Sequence, residues 1–154
     1  MSHLLTQNRV TIEERYRAIL RNHLPAEAVD WVYGFLDTYR VHFHITKERR
    51  TKWGDYRWPQ RNHDYHEMSV NGDLGKSLFL WVFLHEAAHL MTHLKYASVK
   101  PHGHEWQGEL ARLIGEHVAW FPADIRPQIA CYASRIPLNR KLGREIVENL
   151  LKRD

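Results

Sequence analysis

The chain is poor in cysteine: Cys131 is the only one among 154 residues. A lone thiol closes no internal disulfide and builds no thiolate zinc cluster, so these residues hold neither a disulfide scaffold nor a cysteine zinc ribbon. Long apolar runs are missing too. The longest, Leu78 to Leu84, falls far short of the roughly 20 residues that a membrane-spanning helix needs. The first residues, Met1-Ser2-His3-Leu4-Leu5-Thr6-Gln7-Asn8, lack the basic stretch and apolar core of a signal peptide. These absences predict a reducing, cytoplasmic setting. No repeat or low-complexity segment breaks the chain, and its length suits one domain spanning residues 1–154.

A large excess of one charge is also absent. The net charge is +4 and the sequence pI about 9.3. Basic residues are spread out, with local clusters at residues 47–52 and at Arg140-Lys141. A solvated basic face accounts for them, with nucleic-acid contact as the alternative. What the chain has in surplus is histidine, 12 residues in all. Imidazole is the commonest metal ligand and titrates near neutrality, so the surplus directs attention to metal and proton-transfer sites.

Periodicity predicts an α+β fold. Thr11-Ile12-Glu13-Glu14 has the pattern of a capping box and predicts a helix from there to about Leu24. Pro25 suits the first turn of a second helix, in which Val29, Val32, Phe35 and Leu36 recur at helical spacing. Val41, Phe43 and Ile45 then alternate with Arg40, His42 and His44, as in a half-buried strand. Residues 53–58 and 65–70 predict two more short strands, closed by the turn pair Asn71-Gly72. Strands so close in sequence predict an antiparallel sheet, because parallel pairing needs a long crossover. Asp73 is placed to cap a long helix reaching about Tyr96, and a further helix runs from Glu105 to about His117. The expected layout is N-terminal helices over about 11–39, a small three-stranded antiparallel sheet over 40–70, two site helices over 74–118 and a helical tail over 123–153.

His85-Glu86-Ala87-Ala88-His89 falls in the middle of the long predicted helix. Residues four apart share a helical face, so both imidazoles can reach one ion. Catalytic zinc takes three protein ligands and leaves a position for water, and a carboxylate beside the first ligand can take that water's proton. A chain rich in His and Glu meets this short pattern by chance often enough that its surroundings must support it. Here Leu84 and Leu90 flank it, where an unpartnered His-Glu-His set would be costly to bury. A third ligand is also at hand, from His102, His104, Glu105, Glu109 or Glu116. His102 is favoured because Gly103 beside it would let the backbone turn sharply.

The stretch His85-Glu86-Ala87-Ala88-His89-Leu90 followed by Pro101-His102-Gly103-His104-Glu105-Trp106 resembles the SprT-like metallopeptidase family, which includes the Spartan proteases. The resemblance covers about residues 35–120, with motif identity confined to 85–106. It implies that His85, His89 and His102 hold one catalytic Zn2+, that Glu86 is the base, and that Trp106 packs the second helix. It implies a zinc metallopeptidase acting on protein or peptide substrates, and in the Spartan branch on proteins attached to DNA. The alternative is a zinc-stabilised, nucleic-acid-associated module with little hydrolytic activity. One departure stands out: many members carry a cysteine zinc ribbon, for which this sequence has no ligands. Arg126, Arg135, Arg140, Lys141 and Arg144 could replace it in DNA contact, but a helical tail packed on the domain is the preferred reading.

The other histidines have plainer explanations. His42 and His44 are expected on an exposed strand face, and His93 on a partly exposed helix surface. His63 or His66 could hydrogen-bond a substrate, and His104 could stabilise an oxyanion. Trp53, Tyr56 and Trp58, near Arg50, Lys52 and Arg57, could stack on unpaired bases, but packing in the core or along a substrate cleft is preferred.

Overall fold

The computed structural model describes the backbone of residues 2–153 and the side chains of residues 12–153. Helix α1 (Ser2–His23) is followed by a single 3-10 turn after Pro25 and then by α2 (Val29–Thr38). The strands are β1 (Val41–Thr46), β2 (Gly54–Arg57) and β3 (His66–Asn71), and the remaining helices are α3 (Lys76–Lys95), α4 (His104–Glu116), α5 (Arg126–Ala133) and α6 (Arg140–Leu151). The α+β class is as expected; two helix starts are not. Helix α1 already runs through Thr11, so the Thr11-to-Glu14 pattern lies inside a helix and not at its start. Leu4, Leu5, Gln7 and Arg9 upstream are good helix formers, which extends the element toward the N-terminus. Gly75, not Asp73, occupies the N-cap position of α3.

The antiparallel expectation for the sheet is wrong. Strand order is β1-β3-β2, with β1 parallel to β3 from Val41↔His66 to Thr46↔Asn71, and only β2 antiparallel to β3. Residues 47–65 form the long connection that parallel pairing requires, and β2 lies within it, on the far side of β3. Asn71 pins this arrangement from a fully buried position. Its side-chain oxygen accepts from Arg49 Nε at 2.7 Å and Thr46 Oγ1 at 3.1 Å. Its amide donates to the carbonyls of Arg49 at 3.2 Å and Lys52 at 3.1 Å. One side chain thus replaces the backbone partners that the crossover leaves unmade.

Helix α3 is the central element. Residues Leu78 through Leu84 are all buried, packed among Met68 and Val70 of the sheet, Val32, Phe35 and Leu36 of α2, and Leu110, Leu113 and Ile114 of α4. A helix apolar all round belongs inside a core. Each fully buried Leu or Phe contributes roughly 1.5–3 kcal/mol, so this run outweighs the cost of about 1–3 kcal/mol for an unsatisfied polar group on the next turn. The helix can therefore carry His85, Glu86 and His89 from its midpoint onward. The C-terminal tail packs on the domain, as preferred: Ile146 and Leu150 of α6 are buried, and Arg126 donates to the carbonyls of Phe121 at 2.8 Å and Ala119 at 2.9 Å. Among the described residues no helix is long and apolar enough to cross a membrane.

Candidate metal centre

His85 and His89 stand one turn apart on α3, half-buried, with ring centroids 5.5 Å apart. His102 reaches them from the loop before α4. His89 Nε2 and His102 Nε2 lie 3.0 Å apart, and one nitrogen from each of the three rings falls within 4.8 Å of the others. Trp106, on the first turn of α4, packs against all three imidazoles, with centroid distances of 4.6 Å to His85 and His102 and 5.3 Å to His89. Its indole N–H points to the His85 carbonyl at 3.4 Å.

The loop achieves its turn differently from the sequence expectation. His102 itself adopts the left-handed conformation, with φ 57°, while Gly103 has φ −75°. The glycine is needed for space: a Cβ there would sit 2.9 Å from the Lys100 carbonyl oxygen. The Gly103 N–H donates to that same carbonyl at 3.0 Å, and Gln107 Nε2 donates to the His102 carbonyl at 3.2 Å. A non-glycine residue held at positive φ is uncommon and costs energy, and such residues cluster at functional sites.

The donor set fits a metal ion. Tetrahedral zinc with Zn–N of 2.0–2.1 Å places its ligand nitrogens roughly 3.3 Å apart, close to the His89–His102 separation. Burial, with repulsion from the other two imidazoles, pushes His85 down to about 3. Burial and then His102 push His89 down to about 4, against a smaller opposing effect of Asp55. Burial also lowers His102. All three rings are therefore neutral at pH 7, the form that offers a nitrogen lone pair to a metal.

Glu86 is buried beside them, and its Oε2 has no hydrogen-bond partner among the described residues. Burial, then Asp55, push its carboxyl up to about 8, with Lys52 and Arg49 acting in the opposite sense. Gly54 of β2 lets the strand lie directly against it, since a Cβ there would meet Glu86 Cγ at 3.0 Å and Val82 Cγ1 at 2.7 Å.

Other candidates fall away from the cluster. His104 is exposed at the start of α4, and Glu105 and Glu116 lie outside the group of potential ligands. Glu109 is buried but committed to Lys95 Nζ at 2.8 Å and Arg112 Nη2 at 3.2 Å. Burial would raise its carboxyl, but those hydrogen bonds outweigh it and hold the group below the usual range. His42 is exposed and stacks on Tyr65 at 3.5 Å, as does the half-buried His63 at 3.9 Å. His93 is exposed and stacks on Trp58 at 5.7 Å. What the sequence reading missed is a pair: Tyr56 Oη meets Nδ1 of buried His66 at 2.8 Å, and the Tyr56 ring lies parallel to His89 at 6.5 Å. The two are joined through the β2–β3 register, for which the sequence carries no local signal.

The family model for SprT-like proteins matches residues 22–127, more than half of the chain. The chain belongs to the SprT-like family. Its matched stretch contains the sheet, α3, α4 and every residue of the three-histidine group, while most of α5 and all of α6 lie beyond it. SprT-like proteins are linked in general with metallopeptidase-like activity. Neither a curated protein nor a solved structure matches the chain.

Proposed function

We propose that this SprT-like chain is a zinc-dependent peptidase, with His85, His89 and His102 holding one zinc ion and Glu86 as the general base. The observation that carries this reading is the convergence of the three neutral imidazoles from a rigid helix and a strained loop, within 4.8 Å of one another. A zinc ion held there would polarise a water molecule and the scissile carbonyl, bringing the water's pKa to about 7. Glu86 follows His85 on the same helical turn and takes the attacking water's proton. It then returns that proton to the leaving nitrogen as the C–N bond breaks. To take that proton Glu86 must be ionised: burial raises its carboxyl in the zinc-free protein, and a zinc ion held beside it would lower it again.

Strand β2 gives the substrate a place to lie. It is an edge strand, and its inner face packs on α3 beside Glu86 and His89. An extended peptide can pair with its free edge through main-chain hydrogen bonds, which makes cleavage tolerant of side-chain sequence. Cleavage of a peptide library at one narrow consensus would contradict that mode of binding. The metal assignment is tested by the zinc content of purified protein alongside His102→Ala and His104→Ala. The expected result is about one zinc per chain, lost with His102→Ala and kept with His104→Ala. An intact protein that takes up no zinc would overturn the reading.

A further inference from the structure

A peptidase site needs a donor for the negative charge that develops on the carbonyl oxygen during attack. Most donors near the histidines are already committed. Trp106 Nε1 points to the His85 carbonyl, and Gln107 Nε2 to the His102 carbonyl. Lys95 and Arg112 are bound to Glu109, Lys52 to Asp55, and Arg49 to Asn71 and Ser69, which leaves of these groups only the buried Arg49 Nη2 and Arg112 Nε without a partner among the described residues. His104 is exposed and outside the cluster.

The inner face of β2 supplies what is missing. Residues two apart on a strand advance about 6.6–6.8 Å, and three or four residues of helix advance about 4.5–6 Å, so a strand laid along a helix stays in step for a few pairs. Here Gly54 meets Glu86, Tyr56 lies beside His89, and Trp58, just past the strand, stacks on His93. The register therefore sets Tyr56 one step from the carboxylate and alongside a histidine of the cluster.

We propose that the Tyr56 hydroxyl, positioned by His66, donates the hydrogen bond that stabilises the oxyanion of the tetrahedral intermediate. This rests on the peptidase function proposed above. His66 is buried, and its ring makes an edge contact with His93 at 6.2 Å. With the Nδ1 proton given to the Tyr56 oxygen, the hydroxyl hydrogen is free to turn toward substrate. Burial, and after it His93, lower His66, so the ring stays neutral. Burial raises Tyr56 further above the ordinary phenol value, so its hydroxyl is protonated at neutral pH. In the step, the water oxygen bonds to the carbonyl carbon and the carbonyl π pair moves onto oxygen, where Tyr56 donates without giving up its proton. Collapse re-forms the carbonyl and expels the amine, protonated by Glu86. Tyr56 is thus a catalytic residue and His66 a positioning residue.

The test measures binding of a phosphinic peptide, a stable mimic of the tetrahedral species, by calorimetry on zinc-loaded protein, with zinc content and kcat and KM beside it. Tyr56→Phe should keep its zinc, bind the phosphinic peptide about a hundredfold more weakly, and lose kcat by a similar factor at unchanged KM. His66→Leu should follow Tyr56→Phe, and His66→Asn, which can still bond the hydroxyl, should recover most of the loss. If Tyr56→Phe binds the phosphinic peptide as tightly as the unaltered protein, or loses its zinc, the role given to Tyr56 is wrong while the peptidase function stands. If the unaltered zinc-loaded protein neither binds the phosphinic peptide nor cleaves peptides, both fall together.

Discussion

The candidate ligands are held in two different ways. His85 and His89 belong to a helix whose neighbouring residues Leu84, Ala87, Ala88 and Leu90 are wholly buried, so the core fixes their separation. His102 is exposed and stands on a left-handed backbone tied down by short-range hydrogen bonds from Gly103 and Gln107. A non-glycine residue in that conformation costs on the order of 1–3 kcal/mol. Two-thirds of the donor set is thus a by-product of folding, while the last third is held against a local penalty that metal binding would offset. Packing fixes the pair, and strain places the partner.

This contrast can be broken or sharpened by substitution. The largest effect is expected on metal affinity: His89→Ala should weaken zinc binding on the order of a thousandfold, measured by competition with a chromogenic chelator. Gly103→Ala comes next. Its new Cβ meets backbone, which cannot swing aside, so about 1–3 kcal/mol of stability should be lost in denaturant titration. Zinc affinity should fall about 10–100-fold at the same time, because the loop no longer presents His102 correctly. If Gly103→Ala binds zinc normally, the loop is not the strained arm described here.

The helix pair also leaves a signature in pH dependence. In zinc-free protein, His85 and His89 stay neutral down to about 3 and about 4, whereas the unfolded chain takes up these protons from about pH 6.5. Stability should therefore fall as pH drops from 6.5 toward 4, by up to about 1.4 kcal/mol per unit for each group. Glu86 works the other way. Folded, it keeps a proton up to about 8 that the unfolded chain releases near 4.5, so its contribution is lost as pH rises through that range. Glu86→Gln should flatten the alkaline side of the zinc-free stability profile and steepen the acidic side between about pH 4.5 and 6.5, where Glu86 opposes the histidines. An unchanged alkaline limb would show that the carboxyl is not shielded as described. The smallest effect separates the two arms most cleanly. His102→Gly should change zinc-free stability by less than about 1 kcal/mol, since relief of the left-handed conformation offsets the added chain freedom. His85→Gly, in mid-helix, should cost at least about 1 kcal/mol.

Legibility in the sequence follows the same division. The helix pair, Glu86 and the run from Leu78 to Leu84 were readable because helical geometry fixes which residues meet at a spacing of four. The third histidine was readable as a candidate, but the reason for its position was not, because nothing local shows that residue 102 rather than 103 would carry the positive φ. The sheet was misread for a related cause. Its parallel pairing depends on Asn71 gathering Thr46, Arg49 and Lys52 from the far end of a connection, a contact between distant residues. Glu109 could be set aside as a ligand only once Lys95 and Arg112 were seen beside it. Tyr56 and His66 meet for a reason the sequence states nowhere, the pairing of Tyr56 with Met68 across β2 and β3.

The most direct test of the account compares cleavage of an unfolded protein by the zinc-loaded chain and by its Glu86→Gln variant at equal zinc content. The account predicts cleavage by the unaltered chain and a loss of at least about a hundredfold in the variant, with the metal retained. Equal cleavage by the two proteins, or none by the unaltered chain with zinc in place, would contradict it.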